Sequence, residues 1–279
     1  MSTTPARSHG VRFEFVRMRP GDHLGWAFAG ASEYAALATS CLMEGAALGE
    51  RLMYVAEHPD ASAVAALYGV ADQDALQVVT IADVYGTSGI VDPQAQLAHF
   101  GAELDAALAA GYSGLRVVSD STRLVTSDAS LAAWRHYELL ADQFTAVHPV
   151  TALCAFDARR LGPGRLAQLA AMHPLSSASG PVPPYRLFFQ GSTVRLDGPV
   201  TVASMASLGQ ALAELPADTP AAVDLGAAGQ DAGDGVSREA VAMLNELADA
   251  GTPVLVHGQA AALRAAFPAP GANLMLRQY

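Results

Sequence analysis

The sequence predicts an α/β protein in two parts: a mostly parallel sheet with helices on both faces, then a smaller α/β domain. Three observations lead there. Short apolar, strand-like segments alternate with helical stretches from Leu24 to Met172, a stretch of small residues and prolines interrupts them at Ser176–Pro184, and the alternation resumes from Arg186 to the end. Strands covered on both faces read as continuous apolar runs, and their alternation with helices is the mark of βα units on a parallel sheet.

The elements follow in order. Residues 12–16 alternate and suit a short strand or arm, and the apolar Leu24–Phe28 comes after Gly21-Asp22-His23. Ser32 is a candidate cap for a helix over Tyr34–Leu48, closed by Gly49. Next are a strand at Arg51–Ala56, a helix at Ala61–Tyr68, a strand at Leu76–Ile81 and a helix from Pro93 to Ala110 that Gly111 stops. Gly114–Val118 is a strand, Ala129–Thr145 a helix, Val150–Phe156 a strand and Gly164–Met172 a helix. The boundaries read as a first domain over 1–178, a linker over 179–185 and a second domain over 186–279. The second holds two short strands (Arg186–Gln190, Thr193–Leu196), a helix at Val202–Leu215 and a strand at Ala221–Leu225. A Gly/Asp-rich loop at Gly226–Gly235 precedes a helix at Ser237–Ala250, a strand at Val254–His257, a helix at Ala260–Phe267 and a last strand at Leu274–Arg277.

Composition narrows the function. Apolar residues are 51% and charged residues only 15%, the profile of a packed chain. No apolar run approaches a bilayer span and the first 18 residues lack a signal-peptide core, so a soluble, cytoplasmic protein without a membrane partner is expected. The net charge is −11, and all 16 basic residues are arginines spread without a stripe, which argues against direct nucleic-acid binding. The two cysteines, Cys41 and Cys154, form no metal or redox motif and read as reduced, buried thiols.

With no lysine in the chain, a Walker A loop, a Schiff-base site and ordinary kinase chemistry are excluded, because arginine stays protonated and cannot replace the amine. Gly226-Ala227-Ala228-Gly229 stands too far from the next helix for a dinucleotide fingerprint, and no Gly-x-Ser-x-Gly elbow is present. The eight histidines show no paired helical spacing and read as exposed or core residues, a zinc site assembled from distant residues being the alternative; no metal ligand set is assigned and the cofactor is left unassigned.

Three groups remain as candidates. Asp22-His23 leads into Trp26 and Phe28, suiting either a ligand pocket or a histidine bonded to backbone. Arg116 and Asp120 stand at and just past a strand end, where parallel sheets bind ligands, or else form a surface ion pair. Trp134, Tyr137 and Ala141 share a core face of one helix, which leaves Glu138 beside them within reach of a pocket.

Taken together, Gly21-Asp22-His23, Glu44-Gly45…Gly49-Glu50-Arg51, Gly111…Gly114-Leu115-Arg116-Val117, Tyr137-Glu138, Cys154-Ala155-Phe156-Asp157 and His173-Pro174 resemble the MEDS domain, the methanogen/methylotroph DcmR-type sensory domain, over roughly residues 10–180. The resemblance implies a RecA/KaiC-like sheet without its phosphate loop and a module that senses a small molecule or signal without turnover. His23, Glu44, Arg116, Glu138 and His173 are the matched positions; with Trp26 and Asp120 they make the candidate ligand set, and no catalytic residue is named. This chain departs from the family pattern at Leu24–Phe28 and at Ser119-Asp120-Ser121-Thr122, so ligand identity does not carry over.

Leu196-Asp197-Gly198-Pro199-Val200, Ala222-Val223-Asp224-Leu225 and Val254-Leu255-Val256-His257-Gly258 resemble a STAS domain, the anti-sigma-factor-antagonist fold. The usual Asp-Ser phosphoacceptor pair is absent, and Ser237 reads as a helix cap. The two resemblances imply a non-enzymatic regulator of transcription or signalling. It would sense through the first domain and contact a regulatory protein, such as an anti-sigma factor or kinase, through the second, with a homodimer left open. The rival is a metal- or cofactor-binding protein or enzyme using His23, Glu138 and His173. A third reading makes both domains scaffolds for oligomerisation.

Overall fold

The structure, a computed structural model, describes residues 7–14, 17–69, 73–216, 218–225 and 237–278. The chain divides into two compact units, Pro5–Val182 and Pro183–Tyr279. The expected Gly/Asp-rich loop at Gly226–Gly235 lies outside the described residues, and so do residues 15–16 of the expected first strand.

The first unit runs β1 (Gly10–Arg12), β2 (His23–Phe28), α1 (Ala31–Ala47), β3 (Arg51–Ala56), α2 (Ala61–Tyr68), β4 (Leu76–Thr80), α3 (Ile81–Tyr85) and α4 (Pro93–Ala109). It continues with β5 (Leu115–Asp120), α5 (Asp128–Val147), β6 (Val150–Asp157), α6 (Pro163–Ala171) and β7 (Leu175–Ser177). The seven strands form one parallel sheet in the order β1-β7-β2-β6-β5-β3-β4. On one face α1 and α2 bury Leu24, Trp26, Leu52 and Val118; on the other α3 to α6 bury Met53, Val117, Trp134 and Phe156. A sheet packed on both faces explains why its strands read as unbroken apolar runs.

Helix starts are set by local chemistry. Asp60 caps α2 by accepting from Ser62 N and Ala63 N, Asp92 caps α4 with Pro93 at its first position, and Ser127 and Ser130 cap α5 reciprocally. Helix α1 begins differently from the expectation that Ser32 caps it. Its N-cap is Gly30 at φ 101°, a conformation that favours glycine, and Glu33 reaches back to accept from Ala29 N. That carboxylate puts negative charge at a helix start, where an anion would otherwise be drawn.

Two further expectations are corrected. Ser176 and Ser177, read as the start of a linker-like stretch, are buried in β7, which is inserted between β1 and β2; Ser177 Oγ accepts from Ala27 N at 3.0 Å. Small polar side chains fit there because the neighbouring backbone satisfies them. Ile81, read as the end of a strand, begins α3, which Thr80 and Asp83 start with a reciprocal cap.

The second unit contains β8 (Arg186–Gln190), β9 (Thr193–Asp197), α7 (Val202–Ala213), β10 (Ala221–Asp224), α8 (Arg238–Asp249), β11 (Val254–Gly258), α9 (Ala260–Ala266) and β12 (Leu274–Gln278). β8 and β9 form an antiparallel hairpin turned at Gly191, φ 60°, and the other pairs are parallel, in the order β12-β11-β10-β9-β8. Ser237 caps α8 by accepting from Ala240 N.

Candidate functional site

Strand geometry sorts the candidate residues first. Side chains alternate faces along a strand, so in β2 His23 faces the side covered by α5 while Trp26 joins the core under α1. Trp26 is therefore not part of the His23 site. The same alternation in β5 puts Arg116 and Asp120 on the α1 face, opposite His23. Arg116 is the second residue of β5 and stands near its amino end, not at its carboxyl end as the sequence suggested. The strand runs two residues further than read, to Asp120.

His23, Glu138 and His173 come together with a residue that the sequence reading left out, Cys154. One donor atom from each lies within 4.8 Å of the others, and all four side chains are buried. His23 Nε2 is 3.1 Å from Glu138 Oε2 and 3.6 Å from Cys154 Sγ, and His173 Nε2 is 3.4 Å from Glu138 Oε1. The two imidazole centroids are 4.4 Å apart. On their outer sides, His23 Nδ1 is 3.0 Å from Asp142 Oδ1 and His173 Nδ1 is 2.8 Å from the Leu169 carbonyl. Arg7 lies 2.7 Å from the same Asp142 oxygen.

Each member is placed by a specific element. His23 starts β2, and Cys154 lies in the adjacent β6, where it pairs with Gly25. Glu138 and Asp142 are four residues apart on one face of α5, which is why both reach His23. His173 lies just past α6, and its ring sits over Gly25, where a Cβ would come within 2.9 Å of Nδ1.

The electrostatics are strongly coupled. Burial alone would depress the His23 imidazole, but Glu138 and Asp142 outweigh it and hold the pKa well above the ordinary value. Burial likewise opposes charge on His173, and Glu138 raises it. Burial would raise the Glu138 carboxyl, yet the two imidazoles hold it below the usual carboxylate range. A carboxylate between two histidines makes this buried centre a place for positive charge.

Beside it lies a cavity of ≈ 40 Å³, lined by His23 and Cys154 and otherwise mainly by apolar and aromatic groups, including Tyr85, Phe100, Val117, Tyr137 and Phe144. Burial pushes the Tyr85 and Tyr137 phenols far up, so both remain neutral hydroxyls.

Glu44 and Arg116 form a second cluster on the other face of the sheet. The fully buried Arg116 donates to Glu50 Oε2 at 2.5 Å, Glu44 Oε2 at 3.1 Å, the Cys41 carbonyl at 3.2 Å and the Met18 carbonyl at 3.1 Å. Glu50 also accepts from Thr151, and Glu44 from the backbone of Arg17 and Met18. This network joins α1, β5 and the chain before β2. Asp120 stands apart from both clusters, accepting from Thr122 N and Oγ1 at the carboxyl edge of the sheet.

The family model for the MEDS domain (MEthanogen/methylotroph, DcmR Sensory domain) matches residues 22–174, more than half of the 279-residue chain. The chain belongs to the MEDS family. It therefore carries a sensory domain. None of the curated proteins is similar enough in sequence to match it. Among the described residues, no helix is long and apolar enough to cross a membrane.

The MEDS match begins just before His23 and ends just after His173, so it spans both clusters. The sequence reading missed Asp142, Arg7, Gly25 and Cys154. Cys154 was legible from its place in the Cys154-Ala155-Phe156-Asp157 segment, two residues before a core Phe156 on an alternating strand. Asp142 was legible from its spacing to Glu138. Nothing local marks Arg7, which reaches Asp142 across 135 positions of sequence.

Proposed function

We propose that this chain is a non-enzymatic signalling protein whose MEDS domain senses a small molecule in the cavity beside His23 and Cys154. The observation that carries the reading is the cavity itself: an apolar, aromatic-walled space with His23 and Cys154 of the buried cluster among its few polar lining groups. Its ≈ 40 Å³ compares with roughly 10–15 Å³ for one water, so it suits a molecule of roughly one to three heavy atoms without side-chain movement. Apolar walls with a few convergent polar groups are the usual form of a ligand site.

In this reading the second unit is STAS-like and relays the signal by contact with a regulatory protein such as an anti-sigma factor or kinase. Its support is the order of elements: a hairpin, then parallel strands alternating with helices, with the three STAS-resembling segments on β9, β10 and β11 and the turns after them. The RecA/KaiC-like reading of the first unit draws support from its parallel sheet with helices on both faces and from a helix start that carries Glu33 in place of a phosphate loop. For a ligand to switch the protein, its affinity must differ between two states. A difference of about 1.4 kcal/mol changes their ratio tenfold.

The test titrates xenon, methanol, methanethiol and chloromethane into the full chain, followed by NMR of the methyl and aromatic signals. The expected result is saturable binding of at least one probe, lost in Ala141→Phe, which fills the cavity from α5. Binding that survives Ala141→Phe, no saturable binding, or steady turnover of a bound probe would each overturn the reading.

A further inference from the structure

We infer that His23, Glu138, Cys154 and His173 form a binding site for one divalent transition-metal ion of the zinc class. The inference is independent of the relay proposed above, because it concerns only these four side chains and their supports. The sequence names His23, Glu138 and His173 as possible metal ligands only in its rival reading, and reads Cys154 as a buried thiol outside any metal motif. Cys154 is a free, buried thiol as expected, and the fold adds that it lies against His23.

Four features carry it. The first is spacing. Zinc bonds of ~2.0–2.3 Å at tetrahedral angles separate ligand atoms by roughly 3.3–3.8 Å. Here His23 Nε2 and Cys154 Sγ are 3.6 Å apart, one such edge; Glu138 holds one oxygen 3.1 Å from His23 and the other 3.4 Å from His173, and one donor atom from each of the four lies within 4.8 Å of the others, so the set closes round an ion with small side-chain shifts. The second is the state of Glu138. Its side chain is 0% exposed, and its two oxygens each face one imidazole nitrogen, at 3.1 Å and 3.4 Å. A buried carboxylate enclosed between two imidazoles supplies the negative charge that a shared central cation needs.

The third is the outer shell. Both Nδ1 atoms face groups that only accept, the Asp142 carboxylate and the Leu169 carbonyl, so in each neutral ring the proton sits on Nδ1 and the Nε2 lone pair points inward. Ligating histidines are held in this way, and the Asp142–His23 pair, backed by Arg7, is a carboxylate–histidine support of the usual kind. The fourth is donor chemistry. Two imidazoles, a thiolate and a carboxylate suit Zn²⁺ or Co²⁺, whereas Mg²⁺ and Ca²⁺ prefer oxygen alone.

The test uses the full chain, stripped with a strong chelator and titrated with Co²⁺ as a spectroscopic stand-in for Zn²⁺. The expected result is one equivalent bound, with intense tetrahedral d–d bands and a thiolate-to-cobalt charge-transfer band. Cys154→Ser should lose the charge-transfer band, while Cys41→Ser, whose thiol lies on the other face of the sheet, should keep it. Asp142→Asn should bind about 10–100-fold more weakly. Substoichiometric uptake by the folded wild type, or a charge-transfer band that persists in Cys154→Ser, would overturn the site. If a variant fails to fold by circular dichroism, stoichiometry and spectrum of the wild type still decide the question.

Discussion

Gly45 and Gly101 each stand inside a 17-residue helix of the MEDS domain, and the same substitution in each is expected to act with opposite sign. Gly101 lies in α4 with nothing within 4 Å of where a Cβ would be, whereas at Gly45 in α1 that Cβ would meet Arg116 Cδ at 2.6 Å, Arg116 Nε at 2.7 Å and Leu52 Cδ2 at 2.8 Å. Alanine in a helix interior is favoured over glycine by about 1 kcal/mol, so Gly101→Ala should stabilise by about 0.5–1 kcal/mol. Gly45→Ala gains the same term but brings carbons about 1 Å inside their ordinary contact of ~3.5–4.0 Å. Arg116 has no exposed route to move along, and overpacking of this kind costs about 1–3 kcal/mol. Any shift also strains the buried Arg116–Glu50 pair, whose full loss would cost about 3–5 kcal/mol. The expected net change for Gly45→Ala is a loss of about 2–4 kcal/mol. Urea unfolding of both variants checks it, read as midpoint shifts at unchanged slope. A Gly45→Ala protein as stable as the wild type would refute the reasoning.

Three further outcomes are expected. Gly25→Ala should push His173 off its position, costing about 1–3 kcal/mol of stability in thermal unfolding and weakening Co²⁺ uptake more than Gly101→Ala does. Burial raises the Asp120 carboxyl above its ordinary value of 3.8, against the lowering effect of its Thr122 bonds, so the folded state binds its proton more tightly than the unfolded chain. Its contribution is fully present below pH 3.8 and is lost as pH rises through the raised value; Asp120→Asn should remove that acid-range loss and be the more stable form at pH 7, as paired denaturation curves at pH 3 and pH 7 would show. Ser237→Ala removes the cap on α8 and should cost about 1 kcal/mol, measured by the same unfolding assay.

The course of the strands was legible because their burial on both faces leaves unbroken apolar runs, and α2 was read to the residue. Elements that depend on neighbours were not. Ser176 and Ser177 look like linker in one dimension and become a strand only because β1 and β2 lie on either side to pair with them. Gly30 begins α1 through a backbone conformation that no side-chain pattern announces. The site was half legible: His23, Glu138 and His173 were named together. Arg116 meets Glu44, named with it, but not Asp120, because it stands at the start of β5 and Asp120 at its end, and a lone cysteine such as Cys154 has no spacing to read. Register between β2 and β6 supplies what spacing lacked.

His23 and His173 each stand one residue inside the ends of the segment that defines the family. Their meeting therefore fastens the first central strand of the domain to the turn that follows its last large helix. A clasp between positions so distant closes nearly the whole domain into a ring, and the chain entropy of such closure grows only slowly with length. An ion held there would work as a staple that the unfolded chain lacks, adding stability in proportion to the logarithm of its concentration. A domain excised with either boundary inside these two histidines loses one half of the clasp, so the cut positions themselves decide whether the isolated domain holds together.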